Sequence, residues 1–484
     1  MAAMRKTKIV ATVGPACKEN RILKKLIQEG VDVFRINASH SNPKSLKEWF
    51  ERIQKASRDL KKSVAVLVDL QGPRVRTGPV KNATLFLREG EIVRMEIGSH
   101  AAHDNIITTS CRPFTRMVKK GDPILLDNGA IKILVKEVHK KSVLCLVVQG
   151  GTLGENKGIN LPHAPSTLDA LTTKDLADLK AAADLEVDYI ALSFVRSVQD
   201  IHAIKKWMER HHVSIPVIAK IEKPKAVEGI HPILEKADGI MVARGDLGIE
   251  MGIEKVPGVQ KMLIEQAVYS KIPVITATQM LETMMEKPTP TRAEVSDIAN
   301  AVFDGTDAVM LSGETAIGKY PVEAVRTMRR IIEEAEKSRN ILPENELGSR
   351  DKSMVNLRAI TQAALYAARE LKARGIMVFT LSGKTAEYVS KLNPECMVLA
   401  VSQSVKTVSR LNLLRGVKST YVKRSLNMDT MIHEADQKMM RDKILKKGDA
   451  VVVVYGKRAL PGILYTIAIH YVGKVRAVSK NKKR

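Results

Sequence analysis

The sequence is poor in aromatic residues and in cysteine, and each shortage excludes a class of protein. Phe, Trp and Tyr make up 4% of the 484 residues, which is too few to supply the stacking surfaces typical of nucleic-acid binding. The four cysteines lie far apart and form no CxxC pair, which argues against a disulfide framework and against a zinc site. We therefore expect a protein of a reducing compartment that binds no nucleic acid.

Long apolar runs are also missing. The N-terminal segment contains basic residues, but its apolar run from Ile9 to Val13 is too short for a signal peptide. No later run is long enough to cross a membrane. The sequence thus predicts a cytoplasmic protein that makes no membrane contact.

Positive charge, in contrast, is in excess. Lys and Arg number 78 against 53 Asp and Glu, a formal net charge of +25, which favours polyanions or phosphorylated small molecules as partners. The lysines are spread along predicted helix faces, as in "ENRILKKLIQEG", and this spread indicates solvated helix surfaces. A basic, nucleic-acid-associated protein built on an inactive barrel is the alternative from another functional class.

Eight short apolar runs, most of them followed by a helical pattern, organise much of the chain. Continuous apolar runs are typical of parallel strands buried on both faces, and eight such units predict a closed (β/α)8 TIM barrel. The runs are "KIVATVG", "VDVFRIN", "VAVLVDL", "DYIALSF", "PVIAKIE", "GIMVARG", "PVITATQ" and "DAVML".

Two other regions differ from these units. Residues 73–162 alternate apolar and polar positions between Gly and Asn-Gly turns, which predicts an inserted, small antiparallel β-barrel lid domain. Residues 350–478 alternate helix and strand, which predicts a C-terminal doubly wound α/β regulatory domain. The predicted catalytic barrel then comprises residues 1–72 and 163–342, and residues 479–484 form a basic tail.

Polar residues stand at the C-terminal ends of the predicted barrel strands, where TIM barrels place their working residues. The strand ends in question read "FRINASH", "VAVLVD", "AKIE", "VARGD" and "TATQ". Within "AKIE", Lys220 and Glu222 share one face because residues two apart in a strand point the same way. We expect the polar side chains of these ends to converge on one rim.

The residue types at this rim are the components of a phosphoryl-transfer site. Glu222 and Asp246 are sparse, hard oxygen ligands that suit Mg²⁺, whose other ligands are substrate oxygens and water. Arg35 and Arg76 provide bidentate contacts to phosphate, and Lys220 would neutralise charge on a transferring phosphoryl group. Such a site would act by positioning and charge stabilisation.

The motifs that carry these residues resemble the pyruvate kinase family, in order and across residues 5 to about 340. They are "RINASH", "GPRVRTG", "GENKGINLP", "AKIEKPKAVE", "VARGDLGIE", "TATQMLETM" and "PTRAEVSDIANAVFDGTDAVMLSGETAIGKYP". The resemblance implies transfer of the phosphoryl group of phosphoenolpyruvate to ADP in glycolysis, a Mg²⁺ or Mn²⁺ cofactor and a homotetramer. A mutase or aldolase-type barrel that uses phosphoenolpyruvate is the alternative enzyme, which neither the lid nor "AKIE" supports.

The resemblance also implies a role for each matching residue. Lys220 would stabilise the phosphoryl group in flight, while Glu222 and Asp246 would bind the divalent metal. Backbone amides of Gly245 and Asp246 would hold the substrate carboxylate at a helix start, and Arg35 would bind phosphate.

Two further functions are implied for residues at the rim and on the lid. Thr278 would lie near the enolate and assist its protonation. The contacts to the nucleotide would come from Asn37, His40, Arg76 and Lys157.

The stretch "DLQGPRVRTG" departs from the family pattern "DTKGPEIRTG" because Leu70, Gln71 and Arg74 replace Thr, Lys and Glu. Many members of the family need K⁺, bound near the residues that match Asn37, Ser39 and Asp69. Arg74 reverses a charge beside that site, and we expect its guanidinium to supply the positive charge that K⁺ otherwise brings. The alternative is an outward Arg74 that pairs with a lid carboxylate.

A second phosphate site is predicted in the C-terminal domain, in "FTLSGKTAEYVSKLNP". Ser382, Gly383, Lys384 and Thr385 lead into a helix, a layout that holds phosphate on backbone amides. In similar pyruvate kinases this loop binds a phosphorylated allosteric effector, and an ordinary βα turn is the alternative. The segment "MIHEADQKMMRDKILKKGD" does not match the other contacts used for fructose 1,6-bisphosphate, so we expect a sugar phosphate or a nucleotide monophosphate.

Overall fold

The structure is a computed structural model that describes residues 4–81, 83–162, 169–338, 355–425, 427–459 and 462–474. The basic tail predicted at residues 479–484 lies outside these residues, as do several of the predicted domain limits. Helices and strands are numbered along the chain. None of the described helices is both long and apolar enough to span a membrane.

A closed barrel of eight parallel strands forms the centre of the described chain, and it confirms the eight strands expected from the apolar runs. Each strand pairs with the next along the sequence, and the last pairs with the first. The strands are β1 (Lys8–Thr12), β2 (Val33–Asn37), β3 (Ala65–Asp69), β12 (Tyr189–Val195), β13 (Val217–Ile221), β14 (Gly239–Ala243), β15 (Val274–Ala277) and β16 (Ala308–Leu311).

Helices surround this barrel and bury their apolar faces against the outer side of the strands. Three of them begin with a side-chain cap, since Asn42, Thr172 and Thr291 each accept a hydrogen bond from a backbone N–H of the first turn. The helices are α1 (Asn20–Glu29), α2 (Pro43–Leu60), α3 (Thr173–Asp184), α4 (Val198–Arg210), α5 (Pro224–Glu228), α6 (Ile230–Lys236), α7 (Arg244–Met251), α8 (Val256–Tyr269), α9 (Arg292–Phe303), α10 (Gly313–Ala316) and α11 (Pro321–Ala335).

The insertion between β3 and β12 folds as a domain of two sheets around its own apolar core. Its strands are β4 (Thr84–Leu87), β5 (Ile92–Ile97), β6 (Ile106–Thr109), β7 (Pro123–Leu126), β8 (Ile131–Val138), β9 (Ser142–Gln149), β10 (Gly151–Gly154) and β11 (Ile159–Asn160). The described part of the larger sheet has the order β11-β7-β8-β9-β5-β6, and β10 pairs with β4. The pairs are antiparallel as predicted except for β5 with β6, which run parallel.

The C-terminal domain is a sheet with helices on both faces, and a separate apolar cluster lies on each face. Its elements are α12 (Val355–Glu370), β17 (Gly375–Phe379), α13 (Lys384–Lys391), β18 (Met397–Ser402), α14 (Val405–Arg410), β19 (Val417–Tyr421), α15 (Met428–Arg441), β20 (Ala450–Ala459) and β21 (Gly462–Tyr471). In the described chain the order is β19-β18-β17-β20-β21, and only β21 is antiparallel to its neighbour. The doubly wound prediction is confirmed, whereas the sequence analysis missed β21.

The C-terminal domain packs against the N-terminal face of the barrel. Leu413 belongs to the apolar cluster inside the barrel, and Lys391 forms a buried ion pair with Asp307, which directly precedes β16. Ser409 donates a hydrogen bond to Asp188 at the start of β12. Since the chain enters the lid from the C-terminal end of β3, the C-terminal face of the barrel is left for the lid.

Candidate active site

A buried charge cluster lies at the C-terminal ends of β2, β3 and β13, and Asp69 is at its centre. Asp69 is 1% exposed. Its carboxylate accepts from Arg35 Nε at 2.7 Å and lies 3.3 Å from Lys220 Nζ. The structure therefore brings Arg35 and Lys220 together on one carboxylate, which had been predicted only as part of a K⁺ site.

Lys220 is held by oxygen atoms on three sides. Its Nζ lies 2.9 Å from Glu222 Oε1 and donates to Ser193 Oγ at 2.7 Å, in addition to the contact with Asp69. Burial alone would lower the pKa of Lys220, but the negative charges of Asp69 and Glu222 outweigh burial and raise it. The ammonium group is therefore charged at neutral pH and is fixed in position.

Glu222 and Asp246 form a pair of carboxylates at the ends of adjacent strands. Glu222 is 1% exposed, and its Oε2 accepts from the Phe194 backbone N–H at 2.6 Å. Burial raises the pKa of Glu222, and the charge of Asp246 adds to the effect. Among the described residues no group of three or more His, Cys, Asp and Glu could hold a metal. Two neighbouring carboxylates nevertheless fit a divalent cation such as Mg²⁺, which takes its remaining ligands from substrate and water.

Helix α7 begins directly after β14 and points its first N–H groups toward Thr278. The Gly245 N–H donates to Thr278 Oγ1 at 2.9 Å. Thr278 has a φ of 71° and Gln279 a φ of 54°, a left-handed conformation that is strained for a β-branched residue. Strain of this kind is typical of residues whose position matters for function.

Arg244 fixes this strained turn, and sequence reasoning did not identify it. It is 8% exposed and donates from Nη2 to the Thr278 carbonyl at 2.6 Å and from Nε to the Ala277 carbonyl at 3.3 Å. Asp297 holds the same guanidinium at 2.6 Å. Arg244 and Asp297 lie in the motifs "VARGD" and "TRAEVSD". Nothing in either motif indicates that these two residues meet in the fold.

Ser193 and Phe194 were missed for a similar reason. Ser193 Oγ donates to the Leu70 carbonyl at 2.7 Å and accepts from Lys220, so it links β3 to β13. Phe194 has a φ of 55° at a break in the pairing of β12 with β13. The strand-end serine of "DYIALSF" was the available signal, since a serine there is unusual in an apolar run.

The two arginines of the lid hinge take different positions. Arg74 Nη2 lies 3.9 Å from Asp246 Oδ1 and 3.3 Å from Asn128 Oδ1 on the lid. Arg76 donates to the Asn156 carbonyl at 3.0 Å, and partial burial together with the charge of Arg74 lowers the pKa of Arg76. The ion pair that Arg74 makes is thus with the barrel, and its lid contact is with an amide.

The remaining predicted contacts of the nucleotide lie around this hinge. Lys157 on the lid pairs with Asp127 at 3.0 Å. Asn37 ends β2 and pairs in register with Asp69, and its side chain accepts from the Ser39 backbone N–H at 3.1 Å. His40 follows as an exposed residue. Asn37, Ser39 and Asp69 are therefore close in the fold, and Ser39 lies in the turn that follows β2.

The predicted effector loop lies in the C-terminal domain, between β17 and α13. Gly383 has a φ of 91°, and its N–H donates to Thr380 Oγ1 at 2.9 Å. Ser382 and Lys384 are exposed. The loop leads into a helix as predicted, but α13 already includes Lys384 and Thr385, and β17 ends before the loop, at Phe379.

Comparison with known proteins gives a consistent result along the chain. The family model described as the barrel domain of pyruvate kinase matches residues 4–325, and the model of the pyruvate kinase alpha/beta domain matches residues 358–470. The sequence is 40% identical to the pyruvate kinase of Mycobacterium tuberculosis over 474 residues, which cover 97% of this chain and 99% of that protein.

Other relatives and a solved structure agree with these matches. The chain is 42% identical to pyruvate kinase 2 of Synechocystis over 478 residues, which cover 98% of this chain and 80% of that one. The crystal structure of a pyruvate kinase from Cryptosporidium parvum is 31% identical and aligns with a TM-score of 0.89 over 96% of each chain.

Proposed function

This chain belongs to the pyruvate kinase family, and on that premise we propose which of its residues carry out the reaction. The enzyme is a phosphotransferase that moves the phosphoryl group of phosphoenolpyruvate to ADP, giving ATP and pyruvate.

The central assignment is Lys220 as the group that stabilises the phosphoryl group during transfer. The observation that carries it is the buried position of a charged ammonium between Asp69, Glu222 and Ser193. A fixed cation requires no reorganisation as charge develops on the transferring oxygens, so it contributes most in the transition state. Arg35, held on Asp69, would bind the phosphate from the neighbouring strand.

Glu222 and Asp246 are the proposed ligands of the divalent metal, Mg²⁺ or Mn²⁺. When bound, such an ion neutralises oxygens of the substrate and polarises its phosphoryl group. The protein's part is to hold the two carboxylates in place. The Phe194 N–H holds Glu222, and the start of α7 holds Asp246.

The start of α7 is also the proposed site of the substrate carboxylate, since the N–H groups of a first helical turn and the helix dipole favour an anion there. The N–H groups are those of Gly245 and Asp246. Once the phosphoryl group has left, the enolate of pyruvate needs a proton on its methylene carbon. We assign delivery of that proton to the Thr278 hydroxyl, which lies beside Gly245 and would take a replacement proton from solvent water.

Arg76 and Lys157 are the proposed contacts of the nucleotide phosphates, with Asn37 and His40 beside them. Lys157 would exchange Asp127 for phosphate as the nucleotide binds. A lid held down by these contacts would exclude water, which could otherwise hydrolyse the transferring group.

The family's K⁺ site would comprise Asn37, Ser39 and Asp69, and we propose that this enzyme works without the ion. The support is the inward position of Arg74, 3.9 Å from Asp246. Its guanidinium would also repel a neighbouring K⁺, by about 4 kcal/mol at 4 Å for an effective dielectric of 20.

Regulation and assembly are proposed on the family resemblance. Ser382, Gly383, Lys384 and Thr385 would bind a phosphorylated effector, whose effect would be transmitted through a homotetramer. Screening sugar phosphates and nucleotide monophosphates for a shift in substrate cooperativity tests this site. A response that persists in the double variant Lys384→Ala, Thr385→Ala would reject it.

The proposed domains are a catalytic barrel of residues 1–72 and 163–342, a lid of residues 73–162 and a C-terminal domain of residues 350–478. A cytoplasmic location, which suits glycolysis, is also a proposal.

An assay coupled to lactate dehydrogenase tests the assignments directly. Phosphoenolpyruvate, ADP and Mg²⁺ should give pyruvate with the unmodified enzyme, and Glu222→Gln should raise the Mg²⁺ concentration needed for half-maximal rate. An unchanged metal titration in Glu222→Gln would remove that residue from the metal site.

A further inference from the structure

A buried polar contact joins the lid to the barrel outside the catalytic cluster. Asn160 in β11, the last strand of the lid, donates from Nδ2 to Glu250 Oε1 at 2.8 Å. Lys223, just beyond β13, forms an ion pair with the same oxygen. Glu250 and Asn160 are each 5% exposed. We call these three residues the lid clasp.

The clasp connects three elements that carry proposed catalytic groups. Lys223 directly follows Glu222 in the chain. Glu250 lies four residues after Asp246 on α7, so the two carboxylates lie one above the other on the same helical face. Asn160 belongs to the strand by which the chain leaves the lid. The lid is thereby linked to the helix whose first turn presents Gly245 and Asp246.

The lid touches α7 at two further points. A Cβ built on Gly129, in the turn between β7 and β8, would stand 3.6 Å from the side chain of Ile249. Arg74 at the lid hinge reaches Asp246 at 3.9 Å. The lid therefore lies close to α7 both near the start and near the end of this helix.

The chemistry of the clasp makes it sensitive to separation of its parts. Both partners of Glu250 meet Oε1, while Glu250 Oε2 and Asn160 Oδ1 have no hydrogen-bond partner among the described residues. A buried carboxylate depends on its remaining partners, because water does not replace them. Among the described residues, loss of Asn160 would leave Lys223 as the one remaining partner of Glu250.

We propose that Glu250 is a positioning residue that ties the location of Gly245 and Asp246 to the closed position of the lid. When the lid is down, Asn160 and Lys223 fix Glu250, and α7 holds its first turn in the geometry for substrate and metal. When the lid lifts, Asn160 leaves Glu250 and the first turn is less constrained. This inference rests on the proposed roles of Gly245 and Asp246.

The test compares variants that remove the clasp with variants that keep part of it. Asn160→Leu and Glu250→Leu remove the lid contact, whereas Glu250→Gln keeps an acceptor for Asn160 and loses the ion pair with Lys223. We expect kcat to fall about tenfold in the leucine variants and less in Glu250→Gln. Combining Asn160→Leu with Glu250→Leu should add little, because both changes break the same contact.

Two readouts separate positioning from a general loss of structure. The Kd of Mn²⁺ for the free enzyme, measured by electron paramagnetic resonance, should rise severalfold in Asn160→Leu while the Tm stays within a few degrees. Hydrogen exchange at the hinge amides of Thr77 and Ile159, which bond to Lys157 and Val75 across the hinge, should become faster. If Glu250→Leu fails to fold, the variants Asn160→Leu and Glu250→Gln still test whether Glu250 positions the start of α7.

The matched control removes an ion pair elsewhere on the barrel. Lys24 pairs with Asp59 at 2.6 Å between α1 and α2, and Lys24→Met should leave kcat, Mn²⁺ affinity and hinge exchange unchanged. If the folded Asn160→Leu variant has a normal kcat and a normal Mn²⁺ affinity, the proposed positioning role of Glu250 is wrong. Normal Mn²⁺ affinity in Asp246→Asn would instead overturn the proposed metal site, so the two failures are distinct.

Discussion

Thr278 Oγ1 accepts a hydrogen bond from the Gly245 N–H at 2.9 Å while the Thr278 backbone holds a φ of 71°. The same hydroxyl donates to the Ala277 carbonyl at 2.6 Å. The hydroxyl is therefore oriented by two backbone groups at the start of α7, and Arg244 holds the carbonyl of the strained residue. This arrangement places a proton donor beside the proposed carboxylate site.

Replacing Thr278 tests whether that hydroxyl delivers the proton. Thr278→Ala should lower kcat about 10²-fold with little change in KM for phosphoenolpyruvate, because a general acid contributes in this range. Thr278→Ser keeps the hydroxyl and should recover most of the rate. The readouts are the coupled assay and the exchange of pyruvate methyl protons in D₂O, measured by NMR.

The control for this pair of variants is Thr276→Ser. Thr276 is fully buried and shares a hydrogen bond with Thr306 at 2.9 Å. It should behave like the unmodified enzyme in both assays. Undiminished proton exchange in Thr278→Ala would assign the proton to another donor.

We expect Arg74 to decide whether the enzyme requires K⁺. The unmodified enzyme should be active with Mg²⁺ alone, whereas Arg74→Glu should lose activity without K⁺ and regain at least tenfold when K⁺ is added. Restoring Thr at Leu70 and Lys at Gln71 would strengthen the dependence. Rates are measured in tetramethylammonium buffer, with KCl titrated at constant ionic strength.

Arg88→Glu makes the same charge reversal on an exposed part of the lid. It should leave the enzyme indifferent to K⁺. Strong K⁺ activation of the unmodified protein would show that the Arg74 guanidinium does not take the place of the ion.

The stability of the folded protein should depend on pH through Asp188, which contacts Ser409 of the C-terminal domain. Burial raises the pKa of Asp188 to about 6, although Ser409 and the Val66 N–H donate to the carboxyl. In the unfolded chain an aspartate titrates near pH 4. Between about pH 4 and 6 the folded protein keeps a proton that the unfolded chain has released, so stability falls as the pH rises through this window.

Asp188→Asn removes that titration and keeps both hydrogen-bond partners. From pH 4 to pH 7.5 the free energy of unfolding of the variant should improve relative to the unmodified protein by about 3 kcal/mol, the equivalent of the two-unit shift. Unfolding midpoints of both proteins across this range provide the comparison. Parallel pH profiles would show that Asp188 is ionised in the folded protein.

The sequence was sufficient to predict the barrel because each strand is a continuous apolar run that must be buried on both faces. The sequence also predicted that the side chains of Lys220 and Glu222 lie together, since residues two apart share one strand face, and the two side chains are 2.9 Å apart. Contacts between distant segments had no such signal. The binding of Arg244 to the Thr278 turn depends on the barrel closing, and sequence spacing does not describe that step.

Other features escaped prediction for the same physical reason. The pairing of β21 with β20 continues the C-terminal sheet beyond the last run that was recognised, and the parallel pairing of β5 with β6 depends on the path of the connecting loop. The contact of Asn160 with Glu250 joins residues 90 apart in sequence. Asn160 lies in a strand of two residues and Glu250 lies near the end of α7, so neither position carries a periodic signal.

The account depends most directly on Lys220, whose ammonium lies between Asp69, Glu222 and Ser193. The decisive measurement is kcat of Lys220→Met in the coupled assay, together with phosphoenolpyruvate binding to the same variant. The account predicts a fall in kcat of about 10³-fold with nearly normal binding, because the charge contributes mainly in the transition state. A kcat close to that of the unmodified enzyme would contradict it.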